Sequence, residues 1–206
     1  ESVVTKLSDG ITQLAKARNV QVIQGLATFD SPLQLSIKSE IGGQTITFDN
    51  CIIATGSRPT KIPNSPDDHP LIINSTGALK LQNIPKRLLV IGGGYIGLEM
   101  GSVYNALGSQ VTIVEFMPSL LPGADEDLVK PLASKLKKSF ENIYLSTKVS
   151  KMEPTDNEVT VHFEETEGKE FSEIYDTVLV SVGRKPNTSN LGLENAGITL
   201  TERGFI

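Results

Sequence analysis

Leu88-Leu89-Val90-Ile91-Gly92-Gly93-Gly94-Tyr95-Ile96-Gly97 is the stretch on which the reading of this chain turns. The unbroken apolar run before Gly92 predicts a strand buried on both faces. From Tyr95 to Leu107 the spacing becomes helical: Ile96, Met100, Val103 and Leu107 share a face, and Gly108 follows where a left-handed cap ends a helix. Val111-Thr112-Ile113-Val114 predicts a second buried strand. A strand, a helix and a parallel strand in this order make a right-handed crossover almost without exception.

The glycines answer different demands. Gly92 permits a tight turn, Gly94 lets the backbone approach a pyrophosphate, and Gly97 lets the helix pack closely on the sheet, so no side chain is expected at any of the three. Unpaired amides and the positive end of the helix dipole hold the anion without a lysine. At the end of the second strand, about twenty residues on, this pattern requires a carboxylate that accepts hydrogen bonds from an adenosine ribose. Glu115 stands there, where it would repel the 2′-phosphate of NADP, and Phe116-Met117-Pro118 supplies no base to bind one. These residues predict NAD rather than NADP.

Upstream, Val3, Val4, Leu7, Ile11, Leu14 and Ala17 recur at helical spacing, so residues 2–18 predict an amphipathic helix. Val20–Gln24, Leu33–Ile37 and Thr45–Phe48 read as an antiparallel meander, and Cys51–Ala54 as a strand buried on both faces. Pro59, Pro63, Pro66 and Pro70 crowd one short stretch, which reads as a linker between domains. Downstream, Asp125–Ser139 predicts a helix with Leu128, Leu132 and Leu136 at four-residue steps, and residues 143–181 alternate as strands. Ile52-Ile53-Ala54-Thr55-Gly56-Ser57-Arg58-Pro59 is echoed by Leu179-Val180-Ser181-Val182-Gly183-Arg184-Lys185-Pro186, as if two chain crossings bracketed one inserted domain.

Composition narrows the function classes. The 206 residues carry 24 acidic against 19 basic side chains, a net charge of −5, which argues against a nucleic-acid or anionic-lipid surface. No apolar run reaches the length of a membrane span, and the first residues do not form a signal peptide. With one cysteine and two histidines, an internal disulfide and a cysteine-based metal site are excluded. Cys51 reads as a small buried hydrophobe rather than a nucleophile. The chain opens on Glu1 and ends on Gly204-Phe205-Ile206, inside what reads as an apolar strand, so both ends are expected to be cuts in a longer protein.

Taken together, Val90–Glu99, Ile53-Ala54-Thr55-Gly56-Ser57-Arg58-Pro59 and Val182-Gly183-Arg184-Lys185-Pro186-Asn187 resemble, in order and spacing, the pyridine nucleotide-disulfide oxidoreductases, and most closely the members that oxidise dihydrolipoyl groups. The resemblance extends over essentially the whole chain. It implies an α/β fold: a Rossmann-type NAD-binding domain with parallel sheet and β-meander at residues 74–185. Residues 1–73 would be a partial FAD-binding domain of helix and antiparallel meander, and residues 186–206 an incomplete return into it. NAD contacts are implied at Gly92, Gly93, Gly94, Tyr95, Ile96, Gly97, Leu98, Glu99, Glu115, Val149 and Gly183, and FAD contacts at Ala27, Thr55, Gly56 and Ser57. Val149 and Ala27 read equally well as ordinary packing. Tyr95 is either packed on the sheet or a gate over the nicotinamide. Glu99 either answers the helix dipole or pairs with a lysine beside the flavin, and Arg184 is given no role.

In that family electrons pass from a dithiol to a cysteine pair, then to flavin, then as hydride to NAD. A single cysteine cannot make the pair, so the redox cysteines and the general-base histidine are expected outside this sequence, and the 206 residues alone are expected not to turn over. The resemblance further implies lipoyl domains of 2-oxo acid dehydrogenase complexes as partners and a homodimer for the longer protein, with this piece monomeric. It implies a role in cell redox homeostasis and a cytoplasmic location, or the mitochondrial matrix in a eukaryote. Two rivals stand beside this reading: a mercuric, glutathione or peroxide reductase of the same superfamily, and a non-catalytic NAD-binding sensor or assembly module.

Overall fold

The computed structural model describes residues 2–206 apart from Asn64 and Glu167. The chain divides into two compact units, one made of residues 1–56 and 186–206, the other of residues 57–185. The proline-rich stretch lies inside the second compact unit, which begins at Ser57. Prolines bar helix and central strand but leave an irregular segment free to pack on its own domain.

In the first unit α1 (Ser2–Ala17) forms as its periodicity predicts, but none of its residues is buried. The meander consists of β1 (Leu26–Ser31), β2 (Gln34–Ser39) and β3 (Gly42–Thr47), antiparallel in that order. Val20–Gln24 is therefore not its first strand. Gly25 introduces the strand instead of ending one, and the register Leu26↔Lys38 to Ser31↔Gln34 closes the hairpin at Pro32-Leu33. Phe29 and Ile37 form the small core of this unit, and the chain returns to it where the Phe29 amide donates to the Leu191 carbonyl at 2.8 Å and the Asn195 side-chain amide to the Phe29 carbonyl at 2.8 Å. Cys51–Ala54 is not a strand here: Cys51 is exposed and Ile52 is 92% exposed. A strand buried on both faces needs ladders and covering layers, and among the described residues none pairs with it. Gly204-Phe205-Ile206 likewise ends in a turn, in which the Gly204 amide donates to the Thr201 carbonyl.

The second unit enters through β4 (Ser57–Pro59) and carries β5 (Ile72–Asn74), α2 (Ser75–Ala78), β6 (Arg87–Ile91), α3 (Tyr95–Ala106), β7 (Gln110–Val114), α4 (Glu126–Ser139), β8 (Asn142–Tyr144), β9 (Thr147–Pro154), β10 (Val159–Glu165), β11 (Glu170–Tyr175), β12 (Thr177–Val180) and β13 (Arg184–Pro186). Five strands make a parallel sheet in the order β5-β12-β6-β7-β8. Strand β6 shows why its sequence is apolar throughout. Leu88 and Val90 face the helices with Val111, Ile113, Leu98, Leu136 and Phe140, while Leu89 and Ile91 face Val159, Val161, Phe163 and Tyr175 of the antiparallel meander β9-β10-β11. Leu88, Leu89 and Val90 are all 0% exposed, so three layers bury both faces of the sheet. At about 25 cal/mol per Å² of apolar surface, each such side chain contributes roughly 1.5–3 kcal/mol.

Helix α3 departs from its apolar periodicity. Its buried positions are Gly97, Leu98, Gly101 and Tyr104, while Val103 and Leu107 are 40% and 50% exposed. Close approach to the sheet selects small residues: a Cβ on Gly101 would lie 3.3 Å from Phe140 and 3.4 Å from Ile113 and Val111. In α4 the buried residues are Val129 and Leu136, and Leu128 is exposed.

Candidate functional site

In the parallel sheet, β6 is followed in the chain by β7 on one side, whereas β12 lies on its other side. Where the order reverses, the connections leave the carboxyl ends of two neighbouring strands in opposite directions and open a crevice, the usual ligand position in such sheets. Gly92 leaves β6 at this point, and Ser181-Val182-Gly183 leaves β12 beside it.

The glycines here are required for different reasons. Gly92 has φ +110°, and a Cβ on it would lie 2.5 Å from the Ser181 carbonyl oxygen. A Cβ on Gly97 would lie 2.1 Å from the Gly92 carbonyl oxygen and 2.7 Å from Ser181 Oγ. Gly93 is bare for a reason the motif does not state: a Cβ would meet Leu120 at 2.7 Å. Gly94 is the exception. It caps α3 with φ −76° and ψ 177°, and no atom lies within 4 Å of where its Cβ would be. The protein's own packing therefore does not demand a glycine at Gly94, unlike at Gly92 and Gly97, and the space in front of that residue is open.

The main-chain donors divide in the same way. The Gly92 amide donates to the Val114 carbonyl at 2.9 Å, the Gly93 amide to Glu115 Oε2 at 2.6 Å, and the Leu98 amide closes the first turn on the Gly94 carbonyl at 3.0 Å. Gly94, Tyr95, Ile96 and Gly97 supply the leading amides of α3, which have no intrahelical acceptor. These amides and the dipole behind them suit an anion.

Glu115 is 8% exposed and directly follows β7. Besides Oε2 on Gly93, its Oε1 accepts from the Met117 amide at 2.8 Å. Its own amide donates to the Tyr144 carbonyl at 2.8 Å, and its carbonyl accepts from the Thr147 amide at 3.1 Å. Strand β9 thus starts at the acid and carries Val149, half-buried against the meander core, two residues further on. Tyr95 is 63% exposed and is not packed on the sheet; Glu99 is exposed, and Leu98 belongs to the core. Gly183, with φ +115°, accepts the Thr60 amide at 3.0 Å.

Ala27, Thr55 and Gly56 lie exposed in the first unit, and Ser57 opens the second. Gly56 has φ +69°, and its carbonyl accepts the Asn187 amide at 3.0 Å. Arg184, to which sequence reading gave no role, donates from Nε to Ser57 Oγ at 2.7 Å and from Nη2 to the Ser57 carbonyl. It fastens the two echoed segments where they pair as β4 and β13. Ser181 was also missed. It is the small residue beneath the loop, donating from Oγ to the Ile91 carbonyl at 3.0 Å. Its only signal in the sequence is its smallness at the end of an apolar strand.

Behind the acid, Tyr144 on β8 and Tyr175 on β11 both donate to Glu173, at 2.7 and 2.6 Å, and the Arg87 guanidinium lies 3.8 Å from that carboxylate. Burial first, then the Glu173 hydrogen bond, pushes the Tyr144 phenol up to about 12; the same two causes raise Tyr175.

A family model for the pyridine nucleotide-disulphide oxidoreductases matches residues 2–206. The chain belongs to the pyridine nucleotide-disulphide oxidoreductase family. Among its relatives it is 43% identical over 206 residues to the dihydrolipoyl dehydrogenase of Vibrio cholerae and 46% identical over 209 residues to that of Haemophilus influenzae; each match takes in 100% of this chain and 43% of the relative. The family fold appears in the HOCl-induced flavoprotein disulfide reductase RclA from Escherichia coli, with a TM-score of 0.83 and 33% identity over 98% of this chain and 45% of that one. The chain thus spans less than half the length of the curated relatives it matches.

Proposed function

We propose that this chain is the NAD-binding portion of a dihydrolipoyl dehydrogenase, the flavoprotein that oxidises dihydrolipoyl groups of 2-oxo acid dehydrogenase complexes and passes the electrons through FAD to NAD. The observation that carries the reading is that the leading amides of α3, which have no intrahelical acceptor, and the buried carboxylate of Glu115, which accepts from the Gly93 amide, lie together at the sheet's switch point. Identities of 43% and 46% to dihydrolipoyl dehydrogenases over the whole chain support the choice within the family. When bound, NAD supplies a hydride acceptor. Gly94–Gly97 would hold its pyrophosphate, Glu115 its adenosine ribose and Val149 its adenine. Gly183, in the segment that leaves β12, would border the nicotinamide half, and exposed Tyr95 would cover it. The open space before Gly94 fits a group brought against bare backbone.

FAD would meet Ala27, Thr55, Gly56 and Ser57, all surface residues apart from half-buried Ser57. With Cys51 as its one cysteine, this chain supplies no cysteine pair for the dithiol step, so the piece binds nucleotide and the longer protein turns over. Cytoplasmic or matrix location and a homodimer of the longer protein belong to the same reading. Among the described residues no helix is long and apolar enough to cross a membrane.

Calorimetric titration of the chain with NADH and NADPH tests the site. NADH is expected to bind more tightly, and Glu115→Ala to weaken it by about 1.5–3 kcal/mol through lost charge-assisted hydrogen bonds. Equal affinity for the two coenzymes, or an unchanged Glu115→Ala, would remove the acid from the site. For the longer protein, reduction of NAD by dihydrolipoamide is the decisive assay. The peroxide and mercuric reductase alternatives predict none.

A further inference from the structure

Glu115 makes more bonds than the reading of a ribose requires. Gly93 is buried, and a buried amide without an acceptor is costly. It has left the β6 ladder and is not yet in α3, so neither element supplies an acceptor. Glu115 Oε2 fills that gap at 2.6 Å, from the end of a different strand. Its other oxygen takes the Met117 amide, and the segment that follows turns back so that the Leu121 amide donates to the Gly93 carbonyl at 2.9 Å. Leu121 adopts φ +49°, a left-handed conformation that a leucine rarely takes, and neighbouring Leu120 is 3% exposed and would touch any Cβ on Gly93. Both ends of the Gly93 peptide are thus held by the segment after β7.

We propose that Glu115 is a positioning residue for the glycine loop: its carboxylate fixes the Gly93 amide and so aims the free amides of Gly94–Gly97 before any ligand arrives. This rests on the loop being a pyrophosphate site and adds a role separate from contact with the ribose. It also explains why the acid is buried, since a group that only met a hydroxyl on a bound coenzyme needs no backbone donor on each oxygen.

Inorganic pyrophosphate has no ribose and therefore separates the two roles. The 206-residue chain, Glu115→Gln and Glu115→Ala are titrated with pyrophosphate and with NADH, and amide hydrogen exchange is followed at Gly93. Both variants remove the same charge, so any Coulombic change in anion affinity is common to them. Glutamine alone keeps an oxygen that can accept from Gly93. The expected result is pyrophosphate binding roughly threefold to tenfold weaker in Glu115→Ala than in Glu115→Gln at similar melting temperature, with faster exchange at Gly93. Equal pyrophosphate affinity and equal exchange in the two variants would overturn the positioning role, while weaker NADH binding in both would leave the ribose reading intact. Unchanged NADH binding in both would instead remove the site reading itself. If Glu115→Ala fails to fold, Glu115→Met, which fills the space without a strong acceptor, takes its place: faster exchange at Gly93 and weaker pyrophosphate binding than in Glu115→Gln are expected, and equality of both overturns the proposal.

Discussion

Gly94→Ala separates what the fold needs from what the ligand needs. No protein atom lies within 4 Å of the new methyl, and φ −76° with ψ 177° is a conformation alanine adopts freely. Restricting the unfolded chain stabilises by about 0.4–1 kcal/mol. Alanine is a poorer helix N-cap than glycine, which costs about the same. The two effects cancel to within about 1 kcal/mol, so the melting temperature is expected to move by less than about 4 °C. A dinucleotide whose pyrophosphate comes against this backbone meets the methyl directly, and overpacking of one methyl costs about 1–3 kcal/mol, roughly a fivefold to 150-fold loss of NADH affinity. Gly97→Ala is the control, because its methyl would sit 2.1 Å from the Gly92 carbonyl oxygen and must displace backbone. It is expected to lower stability by about 1–3 kcal/mol or more without ligand present. Circular dichroism melts and calorimetry read both quantities. A Gly94→Ala protein that melts far lower, or binds NADH as tightly as the native chain, would refute the division.

Further outcomes follow from the same geometry. Adding Phe116→Arg to Glu115→Ala should raise affinity for NADPH over NADH, read by calorimetry; no shift in preference would mean that the ribose points elsewhere. The Tyr144 phenol, raised from 10.0 to about 12, stays protonated in the fold while the unfolded chain releases its proton, so its stabilisation is full below pH 10 and is lost as pH rises toward 12. Urea titrations over that range should show a flatter decline in Tyr144→Phe. Hydrogen bonds from Lys151, then His162, hold the exposed Glu153 below its usual 4.5, so its contribution is present above that pH and disappears on acidification; Glu153→Gln should reduce the loss, as acid melts would show. A chain of residues 57–185 should unfold cooperatively by itself, and limited proteolysis that removes it as fast as its flanks would contradict this.

The strand-turn-helix-strand at residues 87–114 was legible because each residue there answers a local demand: glycines where backbone must turn or approach, and unbroken apolar runs where both sheet faces are covered. Legibility ended where burial depends on distant partners. Cys51–Ala54 has the apolar pattern of a central strand, yet lies exposed apart from half-buried Ile53, because no ladder flanks it among the described residues. The core face of α3 was misread for the opposite reason, since contact so close that only Gly97 and Gly101 fit leaves no apolar signal. At the site, Glu115 was placed by its spacing, but its bonds to Gly93 and Met117 exist only once β6 and β7 lie side by side. Arg184 and Ser57, far apart in sequence, could not be linked from composition at all.

The pairing of β4 with β13 bears on how the chain assembles during synthesis. The first unit is written in two pieces, and its bonds from Phe29 to Leu191 and Asn195, and from Asn187 to Thr55 and Gly56, wait until residues 186–206 have emerged. Left as a floppy loop, the intervening stretch would make that closure entropically expensive. Once it has folded, Arg184 holds its exit against its entry at Ser57, and the two pieces are tethered by a short gap instead of a long one. Slow folding of residues 57–185 should therefore surface as slow closure of residues 1–56 on 186–206, neither of which lies in that unit.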